Sequence, residues 1–136
     1  MSIVDGMVVK VGKQRYIIPT MSIIESIRPS KDAITTVKSK GEVINVRGQL
    51  YPMIRLHKLF SIPPVYNNPW EALVILIENN GRIKGVMVDD LLGQQQVVIK
   101  NLDKLFKPVK EISGSAIMGD GLVGLILDAE GIINSG

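Results

Sequence analysis

Residues 72–88 read ALVILIENNGRIKGVMV, in which two apolar segments, 72–77 and 82–88, are separated by a short polar stretch that ends in Asn80-Gly81. Asn-Gly between two apolar runs is among the strongest sequence signals for a two-residue β-turn, because both residues tolerate a positive φ. The two segments are therefore predicted to form a β-hairpin. Neither approaches the roughly 20 apolar residues that a helix needs to cross a bilayer, so no direct membrane insertion is expected.

The composition of the whole chain also favours strands. The 136 residues include 19 Ile and 15 Val against 12 Leu, and branching at Cβ favours extended backbone over helix. Thirteen Gly and seven Pro are spread along the chain, as many short strands with tight turns require. We predict one all-β domain over residues 1–136, because this length is usual for a single compact unit.

Several other elements can be placed along the chain. Further hairpins are predicted at the glycine turns around Gly12, Gly48 and Gly121, since glycine supplies the positive φ that such turns need. Pro52 predicts that the strand containing it is an edge strand or carries a bulge. Short helical turns are expected at 56–60, 102–106 and 129–134.

An internal repeat relates the two halves of the chain. Segments that begin at Arg47-Gly48 and at Asp120-Gly121 match at a constant offset of 73 residues, and Arg15 matches Arg82 at an offset of 67. The Pro- and Asn-rich stretch 61–69 is the best candidate for a junction. The repeat therefore predicts two small barrels of about five strands that share an apolar seam, at approximately residues 7–66 and 67–136.

The sequence contains few residues that are suited to catalysis. The chain has no Cys and only one His, His57, so a Cys/His zinc site, a Cys nucleophile and a disulfide framework are excluded. Asp89 and Asp90 are adjacent carboxylates, but neighbouring strand residues point to opposite faces and should not converge on a metal or a substrate. No catalytic residue, cofactor or metal is predicted.

The charge pattern argues against nucleic acid as a partner. The formal net charge is +3, but acidic residues interrupt the lysines, and the two Phe, three Tyr and one Trp offer few stacking surfaces. No charged and then apolar leader pattern precedes the first strand, so a cytoplasmic location is expected by default.

Five motifs occur in order along nearly the whole chain: Val4-Asp5-Gly6-Met7; Tyr16-Ile17-Ile18-Pro19-Thr20; Asn45-Val46-Arg47-Gly48 with Pro52; Val88-Asp89 with Gly93-Gln94-Gln95-Gln96-Val97-Val98-Ile99-Lys100; and Gly119-Asp120-Gly121 with Leu125-Ile126-Leu127-Asp128. Together these motifs resemble those of the CheW-like domain family. Within the family, the opening, the Tyr16 strand and the glutamine-rich strand are more similar to the C-terminal regulatory domain of the chemotaxis histidine kinase CheA than to the free adaptor CheW. The chain could be an excised domain of the kinase or a free-standing adaptor.

The resemblance implies a fold of two intertwined five-stranded SH3-like β-barrels with short helical turns. It also implies a non-catalytic scaffold of chemotaxis signalling that has no cofactor. Its partners would be the CheW or CheA counterpart and the cytoplasmic tip of a chemoreceptor, so the protein would be cytoplasmic and associated with membrane receptor arrays.

Particular residues take roles from the same resemblance. Arg47 in the Asn-Val-Arg-Gly motif corresponds to a position that faces the receptor, and Ile23 and Glu25 lie on the earlier extended run 22–28, which corresponds to the receptor-facing strand. The pairing of kinase and adaptor would use an apolar patch on each barrel. These patches map near Val37 and Leu50 on the first barrel and near Leu73 and Leu91 on the second.

A plainer interpretation of each residue remains open. Arg47 beside a turn glycine could be an ordinary solvated hairpin residue, Glu25 could simply face outward on a half-buried strand, and the four apolar residues could belong to the core. The alternative for the whole chain is an unrelated small β-barrel that binds a ligand or nucleic acid.

Overall fold

The computed structural model describes residues 2–100 and 109–135, which form eleven β-strands and two short α-helices. Single 3-10 turns lie at Thr20–Ser22, Lys31–Ala33 and Pro69–Glu71. The helices are α1 (Leu56–Leu59) and α2 (Ala129–Ile133). The strands are β1 (Ser2–Val11), β2 (Gln14–Pro19), β3 (Ile23–Ile27), β4 (Ile34–Val37), β5 (Gly41–Val46), β6 (Gln49–Arg55), β7 (Leu73–Asn79), β8 (Arg82–Val88), β9 (Asp90–Ile99), β10 (Ile112–Ile117) and β11 (Val123–Leu127).

The predicted hairpins form, and the turns show why. Strands β7 and β8 pair antiparallel around Asn80 and Gly81, whose φ angles are 52° and 80°. Arg47 and Gly48, between β5 and β6, have φ angles of 51° and 87°. Two consecutive positive φ angles are the signature of the type I′ turn, whose twist matches that of the flanking strands.

The strands form two sheets, and each sheet takes strands from both halves of the chain. The first sheet has the order β10-β11-β2-β1-β9, and the second has the order β3-β7-β8-β6-β5-β4. Each contains a hairpin joined through a parallel contact to a second hairpin: β2 lies beside β11 in the first sheet, and β8 lies beside β6 in the second. This correspondence between the sheets agrees with the repeat in the sequence.

The two sheets exchange one strand each. Strand β3 follows β2 in the chain but pairs with β7 in the second sheet, and β9 follows β8 but pairs with β1 in the first sheet. The exchange makes the sheets intertwined, as the fold prediction required. Main-chain hydrogen bonds between Lys100 and Ser115, of 2.8 and 2.9 Å, also join the end of β9 to β10, so a single bridge links the two edge strands of the first sheet.

The core consists of three apolar clusters, and two of them contain residues from the uninterrupted hydrophobic run at the start of β7. Ile75 and Ile77 belong to a cluster shared by both sheets and both helices, which we call the seam. Val74 and Leu76, on the other face of the same strand, pack inside the second sheet. A third cluster lies inside the first sheet and contains Ile17 and Ile126 among others. Both faces of β7 are therefore buried, and no polar alternation is needed.

The structure differs from the sequence-based expectations in two places. The second sheet has six strands rather than five, because β4 pairs with β5 at its edge; this strand has only four residues, too few to show a periodic pattern. The edge assignment for the strand of Pro52 is wrong for β6 as a whole, which lies between β5 and β8. However, pairing between β6 and β8 begins only at Met53. Pro52 has no amide hydrogen to donate, but no hydrogen bond to β8 is lost at that position.

The two helical turns predicted at 56–60 and 129–134 are present as α1 and α2, whereas the turn predicted at 102–106 lies outside the described residues. In the described part of the chain, neither helix has the length or the apolar run that a bilayer crossing needs.

Candidate functional site

Glu25 and Arg47, which the sequence assigns to one surface, are in direct contact. Arg47 Nη1 donates to Glu25 Oε1 at 3.1 Å, and Nη2 donates to Oε2, so the guanidinium holds the carboxylate with two parallel hydrogen bonds. The Arg47 side chain is 72% exposed and that of Glu25 is 28% exposed. We call these two residues the charged pair.

Two local features place the charged pair. Glu25 lies on β3, next to a register shift in the pairing with β7, and Arg47 occupies the first turn position between β5 and β6. The side-chain oxygen of Asn45 accepts a hydrogen bond of 2.9 Å from the amide of Gly48, which supports that turn. Strand β3 is at one edge of the second sheet, so the contact requires the sheet to curl until the β5–β6 turn reaches β3.

The electrostatics of the charged pair favour both ionised forms. The hydrogen bonds from Arg47 lower the pKa of the Glu25 carboxyl, and Glu25 raises the pKa of the guanidinium in return. A solvent-exposed ion pair contributes little to folding stability, because water screens it and two long side chains lose freedom. The charged pair therefore matters more for the shape and charge of the surface than for the stability of the fold.

Ile23, like Glu25, is only partly exposed. It is half-buried and packs against the seam, so only part of its side chain is available to a partner. The adjacent Ile24 is 46% exposed and was missed by the sequence reasoning. The alternation of faces along β3 could have found it, since Ile24 and Ser26 are both exposed between less exposed neighbours.

The four residues predicted to pair kinase and adaptor fall into two different environments. Leu50 is 64% exposed, whereas Leu73 and Leu91 are half-buried and pack against the seam. Val37 is half-buried and lies opposite Gly41, while Leu50 lies opposite Asn45 on the other side of β5. Four residues along a strand span roughly 13 Å, so Val37 and Leu50 do not touch.

A second exposed apolar group lies at the turn between β10 and β11 and was not predicted. Ile117 and Val123 are paired across the hairpin and are 65% and 53% exposed, and Leu122 beside them is 52% exposed. The repeat offset of 73 residues relates Leu50 to Val123. Both follow a turn glycine, Gly48 or Gly121, with φ angles of 87° and 86°. Applying the offset to Leu50 could have found this group.

Asp89 and Asp90 do not form a carboxylate pair. Asp89 is buried, and its carboxylate accepts hydrogen bonds from the amides of Gly12, Val65 and Tyr66 at 2.6, 2.9 and 3.1 Å. Asp90 is exposed. Asp89 therefore fastens the β1–β2 turn and the loop after α1 to the core, which is a structural role.

Comparison with known proteins places this geometry in a family. The family model described as CheW-like domain matches residues 5–136. The chain is 33% identical over 132 residues to the chemotaxis protein CheA of Klebsiella aerogenes and 34% identical over 134 residues to that of Rhizobium meliloti. These alignments cover 97% and 98% of this chain but only 20% and 18% of the relatives, so the chain spans about a fifth of their length.

The fold also has a solved counterpart. The crystal structure of the scaffolding protein TtCheW from Thermoanaerobacter tengcongensis superposes with a TM-score of 0.78, covering 93% of this chain and 90% of that one at 19% identity. The likeness confirms the predicted all-β fold. Because the family model matches almost every residue, the chain belongs to the CheW-like domain family.

Proposed function

We propose that this domain is a non-catalytic scaffold of chemotaxis signalling, which couples chemoreceptors to the histidine kinase CheA through protein–protein contacts. The observation that carries the proposal is the family match over residues 5–136 together with relatives named CheA at 33–34% identity. The proposed site of action is the cytoplasmic tip of membrane chemoreceptors.

The relatives favour one of two forms of this role. Three of them that are 33–34% identical are CheA proteins, of which this chain matches about a fifth, as a regulatory domain of a longer kinase would. In that form the domain binds CheW. The other form is a CheW-type adaptor that binds CheA.

The described surface supports binding rather than chemistry. In our proposal the charged pair faces the receptor. A charged group of the receptor can replace Glu25 or Arg47 as the hydrogen-bond partner of the other, and this replacement leaves the core unchanged. Leu50 and its repeat counterpart Val123 are exposed apolar residues at the tips of equivalent hairpins. Apolar anchors with a polar rim are the usual basis of reversible interfaces.

A binding experiment with purified components tests the proposal. The folded domain is incubated with CheW, with the kinase CheA and with a soluble receptor-tip fragment, and complexes are measured by calorimetry and co-sedimentation. We expect binding to the receptor fragment and to CheW or CheA. Absence of binding to all three by a folded domain would overturn the proposal.

Charge variants then test the receptor surface. Glu25→Arg and Arg47→Glu each place like charges together, and we expect each to weaken receptor binding at least fivefold. Lys38→Glu is the matched control, since Lys38 is exposed on the β4–β5 turn and not part of the charged pair. Equal receptor affinity in all four proteins would remove the charged pair from the interface while leaving the scaffold role intact.

A further inference from the structure

A groove that belongs to none of the sites above runs between the start of β1, the 3-10 turn after β2 and the start of α2. Its volume is about 680 Å³, which lies within the usual range for ligand pockets. Neither member of the charged pair lines it, and neither does Leu50 or Val123.

The floor and rim of the groove are apolar and unusually exposed. Met21 is 95% exposed and Ile3 is 67% exposed, and both line the groove with Val4, Pro19, Leu127 and Ala129. Single exposed apolar side chains are normal on a protein surface, but several gathered around one groove are typical of a binding site. Met21 is also an adaptable contact, because its side chain is flexible and polarisable.

The charged residues that line the groove in the described part of the chain all have the same sign. Asp5, Asp128 and Glu130 line it, and no Lys, Arg or His among residues 2–100 and 109–135 does. This is a local reversal in a chain with a formal net charge of +3. Asp5 and Glu130 are exposed, while Asp128 is half-buried and accepts a hydrogen bond of 3.0 Å from the amide of Gly131. The groove therefore attracts positively charged groups.

One polar atom in the groove lacks a partner. The hydroxyl oxygen of Thr20 is buried and makes no hydrogen bond within the described part of the chain. Buried polar side-chain atoms nearly always have a partner, and leaving one unpaired costs about 1–3 kcal/mol.

We propose that this groove binds a linear segment of a partner protein in which an apolar residue is flanked by Lys or Arg. The apolar side chain packs against Met21 and Ile3, and the basic groups lie near Glu130 and Asp5. This site is additional to the proposed scaffold contacts and does not depend on them.

Defined peptides test the proposal with the whole chain. The probes are two fluorescein-labelled peptides, Lys-Leu-Lys-Met-Lys and Glu-Leu-Glu-Met-Glu, measured by fluorescence anisotropy, with amide shifts in NMR spectra to locate the contact. We expect the basic peptide to bind at least tenfold more tightly, with shifts at Ser22, Asn79 and Ser113, which line the groove. Equal affinity for the two peptides, or shifts confined to another surface, would overturn the proposal.

Variants separate the groove from general charge effects. Glu130→Lys and Met21→Ser should each weaken binding of the basic peptide at least fivefold, because one removes attraction and the other removes the apolar contact. The controls are Asp32→Lys and Val65→Ser, an exposed acid and an exposed apolar residue outside the groove. If the controls weaken binding as much as the groove variants do, the proposal is wrong.

Discussion

Leu50 is the exposed apolar residue best suited to act as a single interface anchor. It is 64% exposed on β6, at a point where only β5 pairs with the strand. In the proposed complex, Leu50→Glu would bury an unpaired carboxylate, so we expect binding to CheW or CheA to weaken by at least ~2 kcal/mol. Calorimetric titration measures this loss.

The same variant has a built-in control for folding. Because Leu50 contributes little to the core, the melting temperature of Leu50→Glu should stay close to that of the original protein. A large fall in melting temperature with unchanged affinity per folded molecule would instead place Leu50 among the residues that stabilise the fold.

Tyr16 makes folding stability depend on alkaline pH. It lies in the seam, stacks on Phe60 with ring centroids 5.0 Å apart, and burial raises its pKa from 10.0 to about 12. Between pH 10 and 12 the unfolded chain loses the phenolic proton while the folded chain keeps it. The unfolded state is thereby favoured, and about 3 kcal/mol of stability is lost across this range.

We expect Tyr16→Phe to remove most of this loss, because phenylalanine keeps the ring and cannot ionise. Urea unfolding of both proteins at pH 8 and at steps from 10 to 12 measures it. Lys84, whose pKa is lowered by burial, titrates in both proteins and cancels in the comparison. Parallel stability curves for the two proteins would contradict the assignment to Tyr16.

At the scale of elements, the last helix is held against the sheets by close backbone contact. Asp128 caps α2 by accepting from the amide of Gly131, and Lys84 on β8 donates to the carbonyl oxygens of Ile132, at 3.2 Å, and Ser135. Gly131 lies so near the chain before β10 that an added Cβ would meet the carbonyl oxygen of Lys110 at 1.8 Å. The helix can dock only if this residue is glycine.

We therefore expect Gly131→Ala to displace α2 and destabilise the protein by about 3 kcal/mol, within the upper range for overpacked sites. Gly119→Ala is the control, because the nearest atom to its added Cβ, Nε2 of Gln95, is 3.8 Å away. Denaturant unfolding compares the two variants. Similar stabilities would show that the backbone near Lys110 moves aside at little cost.

At the scale of the molecule, the exchange of β3 and β9 ties the two sheets together. Neither sheet is complete without strands from both halves of the chain, and the seam takes side chains from both sheets. We expect one cooperative unfolding transition in calorimetry, with equal calorimetric and van't Hoff enthalpies.

A fragment of residues 70–136 gives a second test of the same coupling. It would retain β9, β10 and β11 but lose β1 and β2, which lie between β9 and β11 in the first sheet. We expect it to be unfolded by circular dichroism. Two separate transitions, or a stably folded fragment, would show that the predicted parts at 7–66 and 67–136 fold independently.

The sequence by itself determined the all-β class, the main hairpins and the internal repeat. These depend on local constraints: the positive φ of Asn80-Gly81 and Gly48, and the Cβ branching of Ile and Val, act within a few residues of chain. The alternation of side chains along a strand was also enough to predict that Asp89 and Asp90 do not converge on one site.

Only the tertiary structure decided which strands pair and which side chains meet. The choice of β7 rather than β2 as the neighbour of β3 depends on burial across the seam, which no local pattern records. The charged pair joins residues 22 positions apart because the second sheet curls, and Leu73 and Leu91 are half-buried because the seam covers them. Contacts between distant residues follow from how whole sheets pack, so they could not be read from neighbouring residues alone.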